Sequence, residues 1–320
     1  MRVAITGVGG ALGTGVALRL DGDPGIQMLG VDMDPPRRRL RNVDFHRVPP
    51  HDWGACENLI RDFDPEVIIH MGIYEPHSRS NPQDSTTRTR LSTRAVFRAA
   101  LESPSLQHVV VRSGIEIYGR ARSTPLRPDE NTAVRPTTRF GRALAEVESS
   151  AGAFAASCEV PVTVLRLAPV IGPYIPSPLG RFLRLPVVPF AAPVDGPIQL
   201  LHIDDVHAAF VAAVRRRIGG VFNIVGNGAV TGSQAARMGG RTIVPVWGPA
   251  WVLAQAVTAA LGAPLPEHSL EAMQRGQTAD DTKARTVLDF TPEYSTVDCI
   301  HGLYEWVRIE RLAQPRREVA

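Results

Sequence analysis

The chain has 320 residues, 44% of them hydrophobic and 21% charged, with a net charge of +3. That balance excludes disordered and collagen-like chains and leaves room for one large domain or two modest ones. The basic residues are scattered in short runs such as Arg215–Arg217 without an aromatic platform, so no nucleic-acid partner is expected. Cys56, Cys158 and Cys299 lie far apart, with no Cys-x-x-Cys pair and no His/Cys cluster at ligand spacing. No metal is therefore expected, and the usage fits a reducing cytoplasm.

The first predicted element is a buried strand, Val3-Ala-Ile5, followed by Thr6-Gly7-Val-Gly9-Gly10-Ala-Leu-Gly13 and a helix from Ala11 to Leu20. Because this strand and its loop already occupy residues 1–10, no signal peptide is expected. A glycine turn between strand and helix lets backbone approach a pyrophosphate. The helix N-terminus supplies free N–H groups and partial positive charge to hold it. A second strand, Ile26 to Val31, ends at Asp32, 19 positions after Gly13. That is the spacing of the carboxylate that accepts the ribose hydroxyls of NAD, and an acid there repels the extra phosphate of NADP. Arg37, Arg38, Arg39 and Arg41 follow. They could pair with such a phosphate, but read first as a solvated loop. NAD is the favoured cofactor, with NADP the alternative.

Strands and helices then alternate. Helix Cys56–Asp62 precedes strand Val67–His70. Helix Ser92–Leu101 precedes Val109–Val111, and helix Ala143–Ser157 precedes Val162–Leu165. Helix Val206–Arg215 precedes Val221–Val225. This pattern predicts an α/β fold: a doubly wound parallel sheet of Rossmann type, covered on both faces, with ligands at the carboxyl ends of the strands. Those ends are Gly7, Asp32, His70–Tyr74, Ser113–Tyr118 and Pro169–Pro173. From Gly172 onward prolines are dense and periodic elements few. Residues 1–172, completed by 200–228, are expected to form the dinucleotide-binding domain. Residues 173–199 and 229–320 are expected to form a smaller, loop-rich substrate subdomain. Within the latter, Thr242–Pro266 carries no charge. Its helical part, Ala250–Leu261, is too short to span a bilayer and reads as a buried helix. The alternative is a lid over a lipophilic substrate, or a surface that touches a membrane. Gln314–Ala320 reads as a polar tail.

Several segments, taken in order, resemble the extended short-chain dehydrogenases, the NAD-dependent epimerase/dehydratase family that includes UDP-sugar 4-epimerases. They are the glycine loop, Asp32, Val109-Val-Val-Arg-Ser113-Gly-Ile-Glu-Ile-Tyr118-Gly119, Leu165-Arg-Leu-Ala-Pro-Val-Ile-Gly-Pro173, Leu201-His-Ile-Asp-Asp205, Phe222-Asn-Ile and Asp281-Thr-Lys-Ala-Arg285. Within it the chain looks like the UDP-glucose 4-epimerase-like branch. The resemblance implies a cofactor set of Gly7, Gly10, Ala11, Leu12, Gly13, Asp32, Met71 and Gly72, a nucleotide sugar or similar hydroxylated small molecule as substrate, and a homodimer.

The departures fall on the chemistry. The family uses a tyrosine as general acid/base and, four residues later, a lysine that lowers its pKa. Here Phe140 and Leu144 stand at those positions. Neither side chain can exchange a proton or donate a hydrogen bond. The family's substrate-orienting serine aligns with Gly114. Its Arg-x-x-Asn asparagine aligns with Pro169, and its adenine-contacting aspartate aligns near Pro49, with Asp52 close by. Candidate replacements are Ser113 and Tyr118 at the strand end, then Tyr74, Glu75, His77, Glu116, Arg139 and Arg142. His70 reads as a packed strand-end histidine, Arg112 as half of an ion pair, and Asp204 and Asp205 as a helix start. Three functions remain open: an epimerase/dehydratase-type enzyme with substitute catalytic groups, a non-catalytic NAD(P)-binding sensor or scaffold, and a repurposed non-redox pocket beside Trp247 and Trp251.

Overall fold

The computed structural model describes residues 1–76, 82–121, 123–173 and 175–305. His77 and the tail from Gln314 lie outside them. The first half alternates β1 (Arg2–Thr6), α1 (Ala11–Asp21), β2 (Gln27–Asp32), β3 (Val43–Arg47), α2 (Trp53–Phe63), β4 (Val67–His70), α3 (Pro82–Leu101), β5 (His108–Gly114), a short 3-10 helix (Ile115–Tyr118), α4 (Arg139–Ser157) and β6 (Val162–Leu167). The second half runs β7 (Val170–Ile171), α5 (Pro178–Leu183), β8 (Val187–Ala191), β9 (Pro197–Ile198), β10 (Leu201–His202), α6 (Ile203–Arg216), β11 (Gly220–Ile224), β12 (Val230–Thr231), α7 (Gly232–Met238), β13 (Thr242–Val246), α8 (Ala250–Ala260), α9 (Glu267–Arg275), α10 (Thr282–Thr286) and α11 (Thr296–Glu305).

The central sheet has seven parallel strands in the order β11-β6-β5-β4-β1-β2-β3. The inner strands are continuous apolar runs because both faces are covered. Val3, Ala4, Ile5, Val67, Ile68, Ile69, Val109, Val110 and Val111 are all fully buried. On one face Val16 and Leu20 of α1 pack with Val206, Ala209 and Phe210 of α6. On the other lie Ile60 of α2, Val96 of α3, and Phe140, Leu144, Val147, Ala151 and Phe154 of α4. The α4 residues fall three and four apart, a single stripe turned to the sheet. The strand order reverses between β1 and β4. A crevice opens there at the carboxyl ends, with the glycine loop on one side and Met71–Gly72 on the other.

Three expectations change. The pattern reading does not include β3, whose Val43 and Phe45 alternate with exposed Asp44 and Arg47. It is an edge strand, and polar residues facing water weaken its apolar signal. The proline-rich half is also better ordered than expected: β8 and β13 pair in parallel, and a third core gathers Phe182, Leu183, Val188, Ile198, Met273 and Ile300. Within it, α8 is not a buried helix. Trp251 and Thr258 are buried, with the partly buried Ala254 packed beside Trp251. Val252 and Leu253 are 72% and 69% exposed, because apolar residues lie on more than one side of the helix and only the Trp251 side has a partner. Among the described residues, no helix is long and apolar enough to cross a membrane.

Candidate functional site

A cleft of about 550 Å3 opens along the carboxyl ends of the strands, a size suited to a cofactor-scale ligand. Its floor is the glycine loop. Gly7 has φ +78°, and a β-carbon there would sit 2.7 Å from the Met71 carbonyl carbon. A β-carbon on Gly13 would overlap the Gly7 carbonyl oxygen. Gly10 is different: the nearest atom to its missing side chain is 3.4 Å away, so the protein does not fill that space. It caps α1 without a side-chain hydrogen bond, and the first turn holds no acid. The N–H groups of Ala11, Leu12 and Gly13 are the orphan donors of a helix start. A glycine cradle whose space at Gly10 is left open, beneath N–H donors without a partner among the described residues, fits a dinucleotide pyrophosphate.

Asp32 lines the same cleft. Its Oδ2 accepts from the Gly9 N–H at 2.8 Å and its Oδ1 from the Met33 N–H at 2.6 Å. Burial raises this carboxyl, and those backbone donors oppose the shift. The carboxylate keeps lone pairs for ribose hydroxyls. Arg37 also lines the cleft, while Arg38, Arg39 and Arg41 are exposed. Asp52 caps α2 by accepting from the Ala55 N–H.

At the far end stands a polar cluster. Glu75 Oε2 accepts from Arg112 Nη2 at 3.1 Å, and Glu75 Oε1 lies 3.3 Å from His268 Nε2. Burial alone would raise the Glu75 carboxyl, but the hydrogen bond and charge of His268, then those of Arg112, hold it down at about 2. Its side chain remains 40% exposed. Glu116 projects over Gly114, where any β-carbon would overlap its Oε2. Burial, with Glu75 adding repulsion, pushes its carboxyl up to about 7 against the pull of His268 and Arg112. Tyr74 lines the cleft as well, and burial raises its phenol.

Phe140 and Leu144 are 5% and 1% exposed and belong to the inward stripe of α4. The ring of Phe140 packs against that of His268, with centroids 4.9 Å apart. Thus an imidazole stands beside the position where the family carries a phenol.

Gly7, Gly10, Ala11, Leu12, Gly13, Asp32, Met71 and Gly72 all come together in the cleft. Ser113 and Tyr118 do not line it. Ser113 donates to Glu148 Oε1 at 2.6 Å. Tyr118 is fully buried, donates to Asn223 Oδ1 at 2.8 Å and accepts from Arg166 Nη1 at 2.7 Å. Arg166 in turn grips Glu148 through Nε and Nη2. This network joins β5, α4, β6 and β11 inside the fold. Arg139 and Arg142 are exposed outside the cleft. His70 is buried between Thr6 and Thr93, and burial depresses it to about 3. Asp205 accepts from the N–H groups of Glu293 and Tyr294, tying the start of α6 to that loop. His268, from α9, is the residue that sequence reasoning missed; it sits in no motif, and only the packing of α9 on α4 brings it to the cleft.

A model of the NAD dependent epimerase/dehydratase family matches residues 3–225. The chain belongs to that family. Among curated proteins, an uncharacterized protein of Mycobacterium tuberculosis is 28% identical over 98% of this chain and 86% of its own length. The dTDP-glucose 4,6-dehydratase of Streptomyces niveus is 26% identical over 97% of this chain and 94% of its own. Among solved structures, the UDP-glucose 4-epimerase of Thermotoga maritima with UDP-glucose has a TM-score of 0.73 at 21% identity, covering 96% of this chain and 99% of its own. WbmG of Bordetella bronchiseptica, with NAD and UDP, gives 0.70 at 19%, covering 95% and 93%. At these identities the two structures establish the fold.

Proposed function

We propose that this chain is an NAD-dependent oxidoreductase of the epimerase/dehydratase type, acting on a nucleotide sugar with proton-transfer groups other than the tyrosine–lysine pair. One observation carries the reading: a single cleft runs from the glycine loop and Asp32 to the cluster of Glu75, Arg112, Glu116 and His268. The N–H groups of Ala11, Leu12 and Gly13 would hold the cofactor's pyrophosphate and Asp32 a ribose. When bound, NAD supplies a hydride acceptor. Arg112 offers a cation at the reacting end, while Glu116 and His268 offer groups able to move a proton near neutral pH. Residues 173–199 and 229–320 would form the sugar-nucleotide side, since Ser177, His268 and Gln277 line the cleft from there.

The test is calorimetry with NAD, followed by absorbance at 340 nm and product analysis across UDP- and dTDP-sugars. Binding together with conversion of at least one sugar is expected. A protein that binds NAD yet converts none of the panel supports a second reading, a non-catalytic NAD-binding protein. That reading is favoured by the burial of Phe140 and Leu144 in apolar core. No NAD binding at all would refute both.

A further inference from the structure

We propose that His268, held by Glu75, is the proton-transfer group of this site. The inference rests on the oxidoreductase reading above. Three features of the geometry support it. First, the imidazole packs on the Phe140 ring, so it occupies the region that a tyrosine at 140 would serve. Thr138 caps α4 and fixes Phe140 in its first turn, and His268 lies in the first turn of α9. Both rings are thus held by regular structure rather than by loops.

Second, His268 has the support that an acid/base histidine needs. Its Nε2 faces Glu75 Oε1 at 3.3 Å, and Arg112 anchors the other Glu75 oxygen at 3.1 Å. Glu75 is an acceptor, so its partner assigns the proton of the neutral imidazole to Nε2 and leaves Nδ1 as the basic nitrogen. A carboxylate on one ring nitrogen, with the other facing the cleft, is one way a base is held in a single tautomer by an orienting group.

Third, Nδ1 has no hydrogen-bond partner among the described residues, although the side chain is only 5% exposed and lines the cleft. His70 uses both nitrogens on Thr6 and Thr93. His108 Nδ1 and His207 Nε2 also lack a partner among the described residues, but neither histidine lines the cleft, and His268 does.

In the oxidative direction, neutral His268 takes the proton of a substrate hydroxyl at Nδ1. The O–H bond breaks as the N–H bond forms. Bound NAD would supply the hydride acceptor, so that the carbon–oxygen bond becomes double as the C–H electron pair leaves. The imidazolium, stabilised by the Glu75 carboxylate, returns the proton when the hydride comes back. Glu75 is a positioning residue here and touches no reacting atom.

The charged groups around the imidazole are Glu75 from the segment after β4, Arg112 from β5, Glu116 from the 3-10 turn and Glu267 from α9. The Phe140 face is neutral. Burial lowers the proton affinity of His268, but the Glu75 hydrogen bond and charge, then Glu116 and Glu267, bring it above the ordinary 6.5. The oxidative rate therefore rises with pH along a limb above that value.

The experiment uses the full chain with NAD and the sugars UDP-glucose and dTDP-glucose. It compares wild type, His268→Asn and Glu75→Gln, with proton–nitrogen NMR of the histidine side chains as a readout independent of turnover. The wild type is expected to show a titration above pH 6.5 that is absent from His268→Asn and shifted to lower pH in Glu75→Gln. His268→Asn should lose about 10²–10⁴ in kcat, with KM and NAD affinity changed little. Glu75→Gln should move the pH limb downward and lose less. If wild type converts a sugar and His268→Asn matches its kcat, the proposal is wrong while the oxidoreductase reading stands. If wild type binds NAD and converts neither sugar, both fall. Should His268→Asn not fold, the wild-type and Glu75→Gln titrations decide: a limb that does not move overturns the proposal.

Discussion

Replacing Tyr118 with phenylalanine separates a structural role from a catalytic one. The phenol is fully buried and makes two hydrogen bonds, accepting from Arg166 and donating to Asn223. Tyr118→Phe keeps the ring and removes the oxygen, leaving one guanidinium N–H and one amide oxygen without that partner. Arg166 keeps its two-point grip on Glu148, and Asn223 keeps its bonds to the Pro128 and Asp280 carbonyls. The loss is therefore confined to one donor and one acceptor. An orphaned buried polar group costs about 1–3 kcal/mol, so for the two groups about 2–6 kcal/mol of stability should go. For a chain of 320 residues that corresponds to a fall in Tm of roughly 3–9 °C. The assay is urea and thermal melting beside NAD calorimetry and sugar conversion, all below the lowered Tm. NAD affinity and kcat should hold. A variant as stable as wild type but without turnover would refute this reasoning and return Tyr118 to the catalytic site.

Gly10→Asp should leave the fold intact, since the nearest atom to a new β-carbon is 3.4 Å away and aspartate is a good helix cap. The added charge should nonetheless cost at least tenfold in NAD affinity by calorimetry. Gly13→Ala should lose both stability and NAD affinity, because the β-carbon meets backbone that no rotamer change can move. Acid should destabilise the protein: His70, His108 and His207 are held neutral by burial at about 3, 4 and 4. Their folded values lie below 6.5, so the stability they contribute is whole above pH 6.5 and falls as pH drops toward 4. At pH 5 this amounts to about 2 kcal/mol per histidine, and urea melts at pH 7 and pH 5 should show it. Leu253→Asp on the exposed side of α8 should shift stability by no more than about 0.5 kcal/mol, and a larger loss would mean that this face is covered.

The sequence by itself determined the alternation of strands and helices, the glycine loop from Gly7 to Gly13, Asp32 at the end of β2, and the absence of a phenol and an ammonium at Phe140 and Leu144. These are local facts: a buried strand, a turn and a helix start each leave their mark within a dozen residues. The edge strand β3 and the exposed α8 escaped for the same reason, since periodicity records how apolar a segment is and not which neighbour covers it. Tyr118 and Ser113 sit at a strand end, where function is expected. Only the packed fold shows their hydroxyls spent on Asn223, Arg166 and Glu148. Glu75 and His268 are 193 positions apart. Their pairing beside Phe140 exists because α9 packs on α4, and no pattern within either segment encodes a contact that tertiary packing alone creates.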